Sequence, residues 1–273
     1  MFYFFKYILT LNILFIFLAF YLCILLFLNR WAYQALLKNT YFTLSCSYIF
    51  PLLAFIPQNR FFMHHVNTGF SVIQENTSYS TIPLICLAVF YLYFSIRHLN
   101  EYRVLLKIKN DSYKIKKYKN ISLLSSENIG APFSFYLFRR AYVLLPEYLF
   151  SKPDYLKHSL AHEFQHHRQN DTKWMPVLAV TKLFCFWNPF FYLFERKLSQ
   201  LQEYACDEAL IGRQCFSSSI YSRCLLWVAK QSLSFSSSPK ASLGLVIGNE
   251  KNLLRRRIEE MFTEKKTWKI LHL

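Results

Sequence analysis

The sequence predicts an α+β integral membrane protein in which N-terminal transmembrane helices precede a mostly helical domain with a small antiparallel sheet. Three observations predict it. Of the 32 basic and 16 acidic residues in the 273-residue chain, the first 96 positions hold only Lys6, Arg30, Lys38, Arg60 and Glu75. Within that almost uncharged third lie three apolar runs long enough to cross a bilayer. Beyond it, helical periodicity alternates with short β-like pieces bounded by turn residues.

The first run, about residues 7–28, carries no charge and covers roughly 30 Å of hydrocarbon at about 1.5 Å per residue. Its length, with no small-residue cleavage pattern after it, argues against a cleaved signal peptide. A second run occupies about 40–57, where Pro51 is tolerable if neighbouring helices cover the freed carbonyl. The third lies at about 81–97. These make 1–97 a membrane domain, followed by a basic juxtamembrane linker at 98–120 and a water-compatible domain at 121–273. The lysines and arginines of the linker, from Arg103 to Lys119, put that segment in the cytoplasm and the N-terminus outside by the positive-inside rule. The anionic inner leaflet is their expected partner. The net charge of +16 also suits nucleic acid, but the basic residues cluster where a membrane helix ends and no nucleic-acid-binding motif is present, so no direct nucleic-acid partner is expected. Seven cysteines without a C-x-x-C pair do not form a disulfide framework.

After the linker, Ile121–Leu124, Phe133–Phe138 and Ala141–Leu145 read as strands, with turn signals from Glu127 to Pro132. A helix then begins, with Ser151 as candidate cap, Pro153 in its first turn and Asp154 at the positive end of its dipole. It carries Ala161-His162-Glu163-Phe164-Gln165-His166-His167-Arg168. Positions four apart share a helix face, so His162 and His166 can hold one ion, while Glu163 lies beside it as general base. Lys157, His158, His167 and Arg168 are expected on a wet face, which places the motif outside the hydrocarbon. A second helix, from Glu195 to Leu210, puts Glu203 and Asp207 four apart on one face. One carboxylate can complete the metal ligands and the other can accept a histidine's outer N–H; a solvated acidic face is the bland alternative.

Together, His162 to Asp171, Phe186-Trp187-Asn188-Pro189 and Glu203 to Leu210 resemble the membrane-bound zinc metallopeptidases of the BlaR/MecR type, the β-lactam sensor and antirepressor family. Pro132–Phe135 and Leu144–Glu147 are similar to that family's strand region. The resemblance implies a gluzincin-like fold, Zn²⁺ held by His162, His166 and Glu203, Glu163 as catalytic base and Asp207 as the outer partner of a ligand. Asp171 matches an acidic position of structural role, and Trp187-Asn188-Pro189 a turn between helices. The family's Gly and Pro near Tyr136 and Arg140 are missing, so the sheet is expected to be shaped differently. No penicillin-binding sensor domain is expected before the sequence ends at Leu273. The implied function is a membrane-embedded endopeptidase that cuts a cytoplasmic protein, a repressor-like regulator or itself, in transmembrane signalling. A membrane-protein quality-control protease similar to the HtpX type, or a non-catalytic receptor or scaffold retaining a structural metal site, are the alternatives. Input would come through the membrane helices, a homodimer or a separate sensor partner.

Overall fold

The computed structural model describes residues 2–28, 32–53, 81–212, 216–234 and 250–263. The expected Gln58–Ser80 loop, the last residues of the second expected span and the Lys265-Lys266 pair lie outside them. In chain order the elements are α1 (Phe2–Leu28), α2 (Tyr33–Leu53), α3 (Thr81–Asn110), β1 (Tyr113–Tyr118), β2 (Ile121–Ser126), β3 (Phe133–Leu137), β4 (Arg140–Pro146), a 3-10 turn (Glu147–Ser151), α4 (Pro153–Gln169), α5 (Asp171–Phe184), α6 (Pro189–Gly212), α7 (Ser218–Ser234) and α8 (Glu250–Phe262).

Tyr7–Leu26 of α1 is, among the described residues, the one segment long and apolar enough to cross a membrane. Leu11, Phe15, Leu18 and Leu22 recur at helical spacing and bury one stripe of α1, while Ile13, Phe17, Phe20 and Ile24 stay exposed. Phe15 stands edge-on to Phe191 and Phe194 of α6, at 4.9 and 5.4 Å between ring centroids. Cutting such a ring back to Ala costs about 3–5 kcal/mol. The α2 helix runs back along α1, with the Tyr7 hydroxyl donating to the Tyr48 carbonyl. Its interior polar residues satisfy themselves locally: the hydroxyls of Thr40 and Ser45 each donate to the carbonyl one turn back.

The sheet corrects two expectations. Residues 98–120 are not only a helical extension and linker, because α3 continues to Asn110 and Tyr113–Tyr118 forms β1 against β2. Nor is the sheet antiparallel throughout. Its order is β1-β2-β4-β3, with β2 and β4 paired in parallel and the other pairs antiparallel. The reason lies in β4, whose run Ala141–Leu145 is buried on both faces. Tyr142 and Leu144 meet Leu105 and Ile108 of α3, while Val143 and Leu145 meet Cys224 and Val228 of α7. A strand covered on both sides belongs at the centre of a sheet, so the β3–β4 hairpin folds back to put β4 beside β2. The hairpin turns through Phe138 and Arg139, both at positive φ (45° and 63°) without a glycine.

At α4 the cap also differs. Lys152 is the N-cap and makes no side-chain cap bond, while the Ser151 hydroxyl donates to the Tyr148 carbonyl. The other end is well specified. Asn170 takes the left-handed conformation (φ 66°), and its N–H reaches the carbonyls of His166 and His167. Asn tolerates that conformation better than most residues, and the tight turn brings Asp171 at the start of α5 back onto the end of α4.

Candidate metal centre

Helical geometry puts His162 and His166 one turn apart on α4, as the spacing predicts. Their Nε2 atoms stand 3.2 Å from each other. Glu203, on α6, faces both: Oε2 is 3.3 Å from His162 Nε2 and Oε1 is 3.6 Å from His166 Nε2. Donors about 2.0–2.1 Å from a tetrahedral ion stand about 3.3 Å apart, so the two Nε2 atoms and the two oxygens of the Glu203 carboxylate lie at separations close to those of metal ligands. Glu163 is buried on the same helix, and its charge acts on His166.

A second set is present. His162, His166 and Cys206 each place a ligand atom within 4.8 Å of the others. Cys206 Sγ, however, lies 3.2 Å from His162 Nδ1 and near the His162 carbonyl. The two ring nitrogens of one imidazole face apart, so an ion at Nε2 that meets His166 and Glu203 is not one that Cys206 would meet at Nδ1. Burial, with the charges of Asp207 and Glu203, also pushes the Cys206 thiol well above its ordinary range. Of Glu203 and Cys206, Glu203 is the one that meets Nε2 of both histidines.

Each histidine's Nδ1 is held from behind. His166 Nδ1 donates to Asp171 Oδ2 at 2.7 Å. Asp171 Oδ1 accepts from the Tyr41 hydroxyl at 2.6 Å, and the Tyr41 oxygen in turn accepts from Gln202 Nε2 at 2.8 Å. His162 Nδ1 meets the Tyr221 hydroxyl at 2.8 Å, and that hydroxyl donates to Asp207 Oδ1 at 2.8 Å. Since a tyrosine has a single proton to give, His162 Nδ1 carries the other and Nε2 is left free for an ion. Asp207 therefore serves its ligand through Tyr221, its own contact with His162 Nδ1 being 4.0 Å. Asp171, expected to be structural, is the direct partner of His166.

Charge at the site is balanced by Arg257 of α8. Its Nε and Nη2 each donate to Asp207 at 2.8 Å, and Nη1 lies 2.7 Å from Glu203 Oε2. Burial alone would raise the pKa of Glu203, but the Arg257 guanidinium, the His162 hydrogen bond and the imidazole charges hold it well below the usual carboxylate range. Burial likewise opposes protonation of His166. The Asp171 hydrogen bond and the charges of Glu203, Asp171 and Glu163 outweigh it and raise that pKa to about 9.

The wet face expected for α4 is partly a dry one. His158 is buried, its Nδ1 on the Asp154 carbonyl and its ring 4.1 Å from that of Phe216. His167 binds Thr172 Oγ1 and the Tyr142 carbonyl, and burial lowers its pKa to about 4, so it stays neutral. A cleft of about 400 Å³ lined by Tyr33, Lys197, Tyr204 and Arg256 includes none of the residues that face the histidines' Nε2 atoms.

Residues 81–261 match the family model described as BlaR1 peptidase M56. The chain belongs to that family. No curated protein is matched by the chain. M56 membership makes this a peptidase-family protein, and a metallopeptidase family implies a metal, which the convergence of imidazole and carboxylate donors fits. Within the matched M56 region lie His162, Glu163, His166, Asp171, Glu203, Asp207, Tyr221 and Arg257; Tyr41 lies before it. The sequence singled out His162, Glu163, His166, Glu203 and Asp207, and did not single out Tyr41, Tyr221 or Arg257, which the structure places around them. For Arg257 the signal was present as the Arg255-Arg256-Arg257 run, whose last member is largely covered while Arg255 is exposed.

Proposed function

We propose that this M56 protein is a membrane-embedded, zinc-dependent endopeptidase that cuts a cytoplasmic protein, a repressor-like regulator or its own chain, in transmembrane signalling. The observation that carries this reading is the convergence of His162 Nε2, His166 Nε2 and the Glu203 carboxylate beside Glu163. Two imidazoles and one carboxylate leave a fourth position free, the ligand set of a catalytic rather than a structural zinc. Held by His162, His166 and Glu203, Zn²⁺ would supply a Lewis acid that polarises the scissile carbonyl and acidifies the attacking water. The Glu163 carboxylate takes the proton of that water and delivers it to the departing amine. Asp171 and Tyr221 fix the tautomers of His166 and His162, keeping both Nε2 lone pairs aimed forward. Strand β3, at an edge of the sheet and packed on α4 and α5, offers its free backbone edge to an extended peptide.

Membrane embedding is supported by the apolar α1 and by the large side chains that α1, α2 and α3 expose, among them Phe17, Phe42, Phe90, Leu92 and Tyr93. So broad an apolar surface suits contact with lipid. The basic residues after the third apolar run support a cytoplasmic catalytic domain and an external N-terminus.

The test uses the full chain purified in detergent, with Glu163→Gln beside it. Expected are about one zinc per chain in both, and a defined cut in one cytoplasmic protein that the variant makes roughly 10²–10⁴-fold more slowly. A wild type without zinc, or a variant that cuts as fast, refutes the assignment.

A further inference from the structure

The metal site is completed from outside the peptidase match. Asp171, which holds His166, gives its other oxygen to a residue of α2, and α2 ends well before position 81, where the match begins. Tyr41 is buried, and its ring is stacked on Trp174 of α5 at 5.3 Å with an interplanar angle of 15°. Trp174 follows Asp171 by three residues, so the ring contact and the hydroxyl contact grip one turn of α5. Gln202, the neighbour of Glu203 on α6, donates to the same hydroxyl. A single phenol thus ties α2 to the two helices that flank α4.

We propose that Tyr41 is a positioning residue for the metal site: by holding Asp171 against His166 it makes the metal-binding geometry depend on where α2 sits. A shift of α2 that withdraws the hydroxyl leaves Asp171 free to rotate away from His166 Nδ1, and the imidazole loses the partner that aims its Nε2 lone pair. Since α1 and α2 pack on each other and on α6, a displacement of either N-terminal helix is carried to this hydroxyl. The coupling is reciprocal, because whatever α2 does for zinc affinity, zinc does for the docking of α2. The inference rests on the zinc-site reading above and adds a control point to it.

The experiment measures zinc affinity by competition with a chelator, on the full chain, for Tyr41→Phe and Tyr48→Phe. Both variants keep the ring and lose one hydrogen-bonded hydroxyl of α2. Tyr48 bonds Thr181 Oγ1 at 2.6 Å and, among the described residues, forms no bond to Asp171 or His166. Expected is about a tenfold weakening for Tyr41→Phe, the lower end for loss of an outer partner of a metal ligand, and no change for Tyr48→Phe. In an Asp171→Asn chain the Tyr41→Phe effect should vanish, because it acts through Asp171. Equal weakening by both tyrosine variants, or none by Tyr41→Phe, overturns the proposal and leaves the zinc site standing. A wild type that takes up no zinc overturns both. A measurement without variants covers the case in which Tyr41→Phe does not fold: zinc should slow amide exchange in α2 around Tyr41. Protection confined to α4 and α6 refutes the coupling.

Discussion

Replacing Arg257 with Met tests the electrostatics of the site. The methionine chain is unbranched and of similar length, so it fills the space while removing the charge. What remains is Asp207, buried, and Glu203, four residues earlier on the same helix, with no guanidinium between them. Arg257 contributes two donated bonds to Asp207 and an ion pair to Glu203, at 2.7–2.8 Å. Each such charge-assisted bond is worth about 1.5–3 kcal/mol, part of which offsets desolvation of the ions. Removing one partner of a buried ion pair is known to cost roughly 3–5 kcal/mol, because it strands the other charge. For a protein of this size about 1 kcal/mol moves the melting temperature by roughly 2–4 °C, so Arg257→Met should melt about 6–20 °C lower in the presence of a chelator. The assay is thermal melting of the full chain, with Asp207→Asn and the double variant alongside. In the double variant no buried Asp207 charge is stranded, so its loss should be smaller than the sum of the single losses by at least about 1 kcal/mol. A single variant that melts within about 2 °C of wild type, or strictly additive losses, would show that Arg257 does not balance these carboxylates.

Zinc uptake should depend on pH in a direction set by His166. Its pKa in the metal-free protein, about 9 against an ordinary 6.5, means that protonated His166 stabilises the metal-free fold fully below about pH 6.5 and that this contribution is lost as pH rises through about 9. Zinc requires the neutral ring, so apparent affinity should rise with pH up to about 9, by at most about tenfold per unit for the one proton released, and a pH-independent affinity would contradict it. In the β3–β4 hairpin, Arg139→Gly relieves a non-glycine residue held at φ 63°, and should stabilise the fold by about 1 kcal/mol, read as a melting temperature roughly 2–4 °C higher. A lower melting temperature would mean that the Arg139 side chain has a stabilising role that outweighs the strain.

What could be read in the sequence, and what could not, divides by distance along the chain. Helical spacing alone puts His162 and His166 on one face of α4 with Glu163 beside them, and Glu203 and Asp207 on one face of α6. That the two helices face each other came from the resemblance, not from spacing. The outer partners come from far away: Tyr221 is 59 residues from His162, Tyr41 is 130 residues from Asp171, and Arg257 is 50 from Asp207. A tyrosine with that duty looks like any of the 19 in the chain. Strand β1 was hidden for a different reason. Tyr-Lys-Ile-Lys-Lys-Tyr is exposed along its whole length, so it lacks the buried alternation that marks a strand and reads as a charge run. The parallel pairing of β2 with β4 was hidden by proximity, since short strands joined by turns suggest hairpins until the two-sided burial of β4 is known.

The contacts of Phe15 with α6 bear on how the molecule could be divided. A chain begun at the edge of the family match would lose the ring that fills the space between Phe191 and Phe194, together with the buried Leu11, Leu18 and Leu22 beside them. It would also lose Asn12, whose carbonyl and side-chain oxygens accept from Asn188 at the turn where α6 starts. The helix that carries Glu203 would then begin in solvent with its first two aromatic turns bare. A piece that starts with α1 keeps the packing that seats the Glu203 helix, and a cut after the apolar segments removes it.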